Sequence, residues 1–141
     1  MKKPLPTVPA VCVYAGRDGL SHLADVVLPA LAQVTDEDGK VRFVGSTGAT
    51  VMGFVVGTGP TGEDWHRASM AGLSIVVSGS WEIEAGSGDR RQLETGSVLL
   101  MLDTEGQGHR AHPLGDGGCT VLGVGIDEVT RAAFTLLVPP K

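Results

Sequence analysis

Glycine is scattered through this chain between short β-branched runs, and that spacing constrains the fold more than any other feature. There are 21 glycines in 141 residues, about twice the ordinary ~7% share. They do not gather into a linker. A residue that tolerates tight turns and close backbone approach, set every few positions between strand formers, points to many short strands. The candidate strands are Val11–Tyr14, Val41–Val44, Thr50–Val56, Leu73–Val77, Ser80–Glu84, Ser97–Leu102, Cys119–Ile126 and Ala132–Val138. Trp81 and Ile83 share one face of "SWEIE" and Glu82 and Glu84 the other, the period of a half-buried strand. "EIEAGSGDRRQLE" reads as a hairpin that turns at Gly86 and Gly88. The class is all-β, in one barrel or sandwich domain without internal repeats.

One segment fits two patterns. In "SHLADVVLPALAQV", Ser21 could cap a helix, but Pro29 would break it. A strand over about His22–Val27 is expected, with a short helical turn around Ala30–Val34. The start, "MKKPLPTVPAV", carries Pro4, Pro6 and Pro9. It is expected to be a loose extended arm over residues 1–10, ahead of a single domain over 11–141, and not a secretory signal. Apolar runs such as "VLLML" fall far short of the roughly 18 residues of a membrane span. A cytoplasmic protein is expected.

The net charge of −5 comes with no basic cluster, which argues against nucleic acid, since phosphate contacts need a positive stripe. Cys12 and Cys119 lie in strand-like runs, "AVCVY" and "CTVLGVGI". They are expected to be buried thiols acting as small hydrophobes, without a disulfide. No glycine pattern carries the lysine of a phosphate loop, and no serine or cysteine has a visible activating partner.

Two stretches carry most of the chemistry: "EDWHRASMAGLSIVVSG" and "GSVLLMLDTEGQGHRAH". They resemble the two motifs of the cupin superfamily, small antiparallel jelly-roll β-barrels. In that resemblance Gly79 is the turn glycine closing the first motif. Gly96 opens the second motif, and His109 is its histidine ligand. "SWEIEAGSGDRRQLETGSVLLM" matches the strand pair between the motifs. The chain is similar, more narrowly, to small single-domain cupins of actinobacterial type that share a start like "VYAGRDGLSHLADV", a "DWH" first motif and a second like "LLMLDTEGQGH". The resemblance implies a jelly roll, a divalent metal in the barrel mouth, a small-molecule substrate and a homodimer paired through sheet edges. It departs from the usual pattern in three places. Asp64-x-His66 stands where two histidines are usual, the glutamate position falls near Gly72, and the second motif is longer before His109.

Asp64 and His66 are two apart and share a face on a strand. With His109 across the barrel they would make a two-histidine, one-carboxylate set suited to iron(II), zinc or nickel. Asp64 is otherwise a solvated turn acid, and Glu63 is a further candidate donor. His22 is a ligand or a base facing the cavity, or else a surface histidine after a glycine turn. His112, beside Pro113, reads as a loop residue. Trp65 and Trp81, the only tryptophans, are candidate walls of a pocket for a flat or apolar substrate. Glu82 and Glu84, opposite Trp81 and Ile83, are expected to face solvent. The function expected is a metal-assisted isomerase or epimerase that abstracts a proton next to a carbonyl, for instance of an α-keto acid, in secondary metabolism. An iron(II) dioxygenase and a non-catalytic binding barrel are the alternatives.

Overall fold

A computed structural model of the protein describes residues 6–28, 32–45, 48–58 and 64–139. Eleven strands and one helix follow in chain order: β1 (Pro9–Ala15), β2 (Ser21–Val27), β3 (Ala32–Thr35), β4 (Val41–Val44), β5 (Ala49–Gly57), β6 (Gly72–Gly79), β7 (Trp81–Ala85), β8 (Arg90–Leu93), β9 (Val98–Met101), β10 (His109–Pro113), β11 (Cys119–Ile126) and α1 (Glu128–Thr135). A six-stranded sheet runs β2-β1-β9-β6-β11-β5 and a three-stranded sheet runs β10-β7-β8, while β3 and β4 pair by themselves. All pairs are antiparallel except β1 with β9. This is an all-β, jelly-roll-type barrel. Among the described residues no helix is long and apolar enough to cross a membrane.

Two apolar clusters hold the layers together, one on each face of the large sheet. Between the sheets, Val13, Val76 and Leu99 meet Ile83 and Leu93 of the small sheet. On the other face, Cys12, Leu100 and Ile126 pack with Phe134 of α1. Neighbours in sequence therefore serve opposite cores, Cys12 and Val13 on β1, Leu99 and Leu100 on β9. A strand buried on both faces must be apolar at every position, which is why β9 reads as the unbroken run "VLLM".

The end of the chain corrects the expected strand over Ala132–Val138: most of it is α1 and the turn that follows. Asp127 is the N-cap, its side chain accepting the Thr130 N–H at 2.8 Å, and Glu128 stands in the first turn. That cap satisfies an orphan donor of the helix start, and Phe134 then seals the outer cluster. The helical turn expected around Ala30–Val34 is corrected too. Pro29, Ala30 and Leu31 lie outside the described residues, and Ala32–Thr35 is a strand paired with Val41–Val44 around a turn at Gly39. The expected strand from His22 to Val27 is present as β2.

Gly79 and Gly96 both take positive φ, +75° and +93°. They end β6 and precede β9, so the first motif closes and the second opens on a turn that an L side chain resists. With those turns fixed, the loop ahead of β6 comes against the start of β10.

Candidate active site

The backbones of His66 and His109 exchange two hydrogen bonds, each 2.9 Å, forming a lone antiparallel bridge between the first motif and β10. Their rings lie 4.7 Å apart, centroid to centroid, at 59°. Gly108 permits the crossing. Its φ is +81°, and a Cβ there would fall on the carbonyl of His66. Beside the bridge, the Ala68 N–H donates to the Asp103 carbonyl at 3.1 Å. The segment 66–68 is thus tied to the chain that carries Asp103 and His109.

Asp103 has no role in the sequence reading, yet it anchors the site. It is 0% exposed and His109 is 2% exposed. His109 Nδ1 lies 2.5 Å from Asp103 Oδ2. A buried carboxylate accepts, so Nδ1 carries a proton, and in the neutral ring Nε2 is the atom with the lone pair. Asp103 Oδ1 is buried without a hydrogen-bond partner among the described residues. Its charge is felt nearby: burial first, then Asp103, pushes the Cys12 thiol up to about 12. His66 is oriented in the same sense. Its Nδ1 lies 2.8 Å from the Asp64 carbonyl oxygen, which can only accept, so the neutral ring also holds its proton on Nδ1.

Both imidazoles line a cavity of about 740 Å³ between the two sheets, with β5 in its wall. Its walls are mostly apolar, with Trp81, Met101 and Val121 among them, and Ser74 and Arg67 among the polar groups. The Ser74 hydroxyl, buried, donates only to the Met101 thioether at 3.6 Å, a weak acceptor. It can turn to a better one.

The other predicted residues fall elsewhere. The Asp64 carboxylate is exposed and accepts from the Trp65 N–H at 2.8 Å; it is the Asp64 carbonyl, not its carboxylate, that touches His66. Trp65 is absent from the cavity wall. It lies in a shallow polar groove beside His66 and Arg67, with the Arg110 guanidinium 4.8 Å over its ring. His22 is also absent from the wall. It sits on the edge strand β2, bonded to the Asp18 carboxylate at 3.0 Å, and that bond holds Asp18 below the usual carboxylate range. His112 is not in a loop. It lies on β10 opposite Glu82, 3.8 Å from its carboxylate. Glu82 and Glu84 line the side of β7 away from Ile83. Arg110 donates to Glu84 at 2.8 Å, and chiefly that bond holds Glu84 below its ordinary range.

The donors present do not complete the expected metal set. Two imidazoles with protons fixed on Nδ1 are good metal donors, but protein metal sites take three or four. Among the described residues no three His, Cys, Asp or Glu side chains gather to supply them. Asp103 stands behind His109, Asp64 is turned to Trp65, and Gly72 is packed on the Val124 carbonyl with no room for a side chain. Glu63 lies outside the described residues.

The signal that could have found Asp103 is in the sequence: a carboxylate that closes an apolar strand, "VLLMLD", six residues before the motif histidine. Arg67 and Ser74 give no such signal, because their place depends on the bridge and the barrel.

No protein-family model matches the chain, and no curated protein matches it. Among solved structures it is similar to the Schizosaccharomyces pombe Cnp3 cupin domain, with 8% identity and a TM-score of 0.45, over 90% of this chain and 88% of that one. Such identity transfers no residue's role.

Proposed function

We propose that this protein is a small-molecule isomerase that shifts a proton next to a carbonyl, with His109 as the base. The observation that carries the reading is the buried Asp103–His109 pair at the wall of an apolar cavity, beside a second histidine. His109 Nε2 removes a proton from the carbon beside the carbonyl, and the C–H electron pair moves into an enolate. Asp103 stabilises the imidazolium that forms and fixes its tautomer. The enolate oxygen accepts a hydrogen bond from the Ser74 Oγ–H within the cavity, and the His66 ring lines the wall beside it. Return of the same proton from His109 to a different carbon of the delocalised enolate, the γ-carbon of a β,γ-unsaturated carbonyl compound, moves the double bond and completes an isomerisation without net change of charge.

The spacing of the rings favours isomerisation over epimerisation by two bases. Inversion needs bases on opposite faces of a carbon, roughly 7 Å apart if each makes van der Waals contact. His66 and His109, at 4.7 Å, work from one side. Secondary metabolism as the setting rests on the sequence resemblance. An iron-dependent dioxygenase would need a further protein donor that the described residues do not supply.

The test is α-proton exchange in D₂O, followed by NMR, with a panel of 2-oxo acids and simple ketones. Exchange accelerated by the wild type and lost in His109→Gln supports the reading. A folded protein that exchanges none of them is a binding barrel.

We propose further that the working unit is a homodimer closed over β5. This edge strand exposes Met52, Phe54 and Val56 at 68%, 65% and 64% and carries no charge or proline over Ala49–Gly57, the usual guards of a free edge. Val51 and Gly53 to Gly57 of the same strand, Phe54 and Val56 included, form cavity wall. A second copy seated there would close the cavity as well as cover the edge.

A further inference from the structure

Arg67 is the one Lys, Arg, Asp or Glu among the described residues that line the cavity. Arg42, Arg90, Arg91 and Arg110 each have a carboxylate, all of them outside the cavity wall, while Arg131 donates to the Thr104 hydroxyl. Among the described residues no carboxylate pairs with Arg67. In a chain of net charge −5, a cation left without an acid at the mouth of an apolar cavity is a specific arrangement.

Its position is fixed on both sides. His66 is bridged to His109, and Ala68 is bonded to the Asp103 carbonyl. The Arg67 backbone therefore cannot drift relative to the base. A guanidinium presents a planar fork that matches a carboxylate with two parallel hydrogen bonds. One such group also limits the charge that the site can hold: the rest of the wall, Trp81, Met101, Val121 and their neighbours, is apolar or uncharged.

We infer that Arg67 anchors a substrate carboxylate, so that the cavity takes a monocarboxylate with an apolar body, its carboxylate at Arg67 and its reactive carbon at His109. The inference rests on the proton-transfer reading of the same cavity. It adds the substrate class and gives Arg67 a positioning role. The carboxylate makes the neighbouring carbonyl compound an anion that Arg67 alone can hold, while Asp103, behind His109, stays out of its reach.

Two probes of the same shape separate this from general stickiness: 3-phenylpropanoate and 3-phenylpropanamide, titrated into the full chain by calorimetry. The acid should bind wild type at least about tenfold tighter than the amide, as expected for a charge-assisted pair. Arg67→Gln should erase that preference and leave the amide unchanged, and Arg67→Lys should keep part of it. The exposed position of Arg67 makes both variants compatible with folding. Equal binding of the two probes to wild type, binding of neither, or a preference that survives in Arg67→Gln would each overturn the anchor. His109→Gln distinguishes the two proposals. It should lose α-proton exchange yet keep the preference for the acid, so a chain that prefers the acid without exchanging any proton retains the anchor and loses the base.

Discussion

Replacing Asp103 by asparagine tests the catalytic pair most directly, because it removes one charge and almost no volume. In the wild type the imidazolium formed on His109 lies against a carboxylate that is 0% exposed. With charge centres about 4 Å apart and an effective dielectric constant of about 20, that attraction is about 4 kcal/mol. If the asparagine forfeits most of it in the transition state, kcat falls by about 10³-fold, within the range for a positioned base. The effect on stability should be smaller. One charge-assisted hydrogen bond, Asp103 Oδ2 to His109 Nδ1, becomes a neutral one, and the lone buried Oδ1 is exchanged for another polar atom in the same place. A loss of about 1–3 kcal/mol is expected. The assay is α-proton exchange by NMR across pH 5 to 9, beside a denaturant titration. A folded Asp103→Asn protein that exchanges within twofold of wild type, with an unchanged pH profile, would refute the role given to the pair. His109→Gln, which keeps a polar side chain in place, guards against reading mere unfolding as catalysis.

Three other outcomes are expected. Gly108→Ala should destabilise the chain more than Gly88→Ala in thermal denaturation and should lower exchange as well; both glycines have positive φ, but only at Gly108 does a Cβ meet backbone. Equal shifts would show that the close approach of His66 is not required. Burial raises the Cys12 thiol from its ordinary 9.0 to about 12, so the unfolded chain loses this proton first. Its contribution is complete below pH 9 and falls as pH rises towards 12, by about 2 kcal/mol at pH 10.5. Denaturant titrations at pH 8 and 10.5 should show that much less alkaline loss in Cys12→Ala, and parallel losses would contradict it. Met52→Lys, on β5 and outside the cavity wall, should leave folding within about 0.5 kcal/mol and convert dimer to monomer by light scattering; a wild type already monomeric at high concentration would end the dimer proposal.

The elements legible in the sequence were those whose pattern is local. β4 and β11 have the expected bounds because β-branched runs there end at glycine or charge. α1 was misread because "AAFTLLV" is apolar enough for either structure, and periodicity does not separate a short buried helix from a strand; the deciding residue, Asp127, lies outside that run as its cap. The meeting of His66 and His109 was legible from the two motifs, since turn glycines fix where each begins. What the two histidines can do was not. Spacing put Asp64 on the face of His66, as it would on a strand, but at residue 64 the chain is not yet a strand, and the carboxylate turns back to cap the Trp65 amide. Asp103 gained its importance from burial on all sides, which follows from β9 lying in the middle of the large sheet with a core on each face. A carboxylate there must find a partner or be neutralised, and the partner that the fold brings is the histidine of the second motif. The same bridge that delivers His66 to His109 sets Arg67 beside them, so base, neighbouring ring and cation share one piece of backbone geometry. Function in this chain would then depend on Gly108, which has no side chain, as much as on any residue that has one.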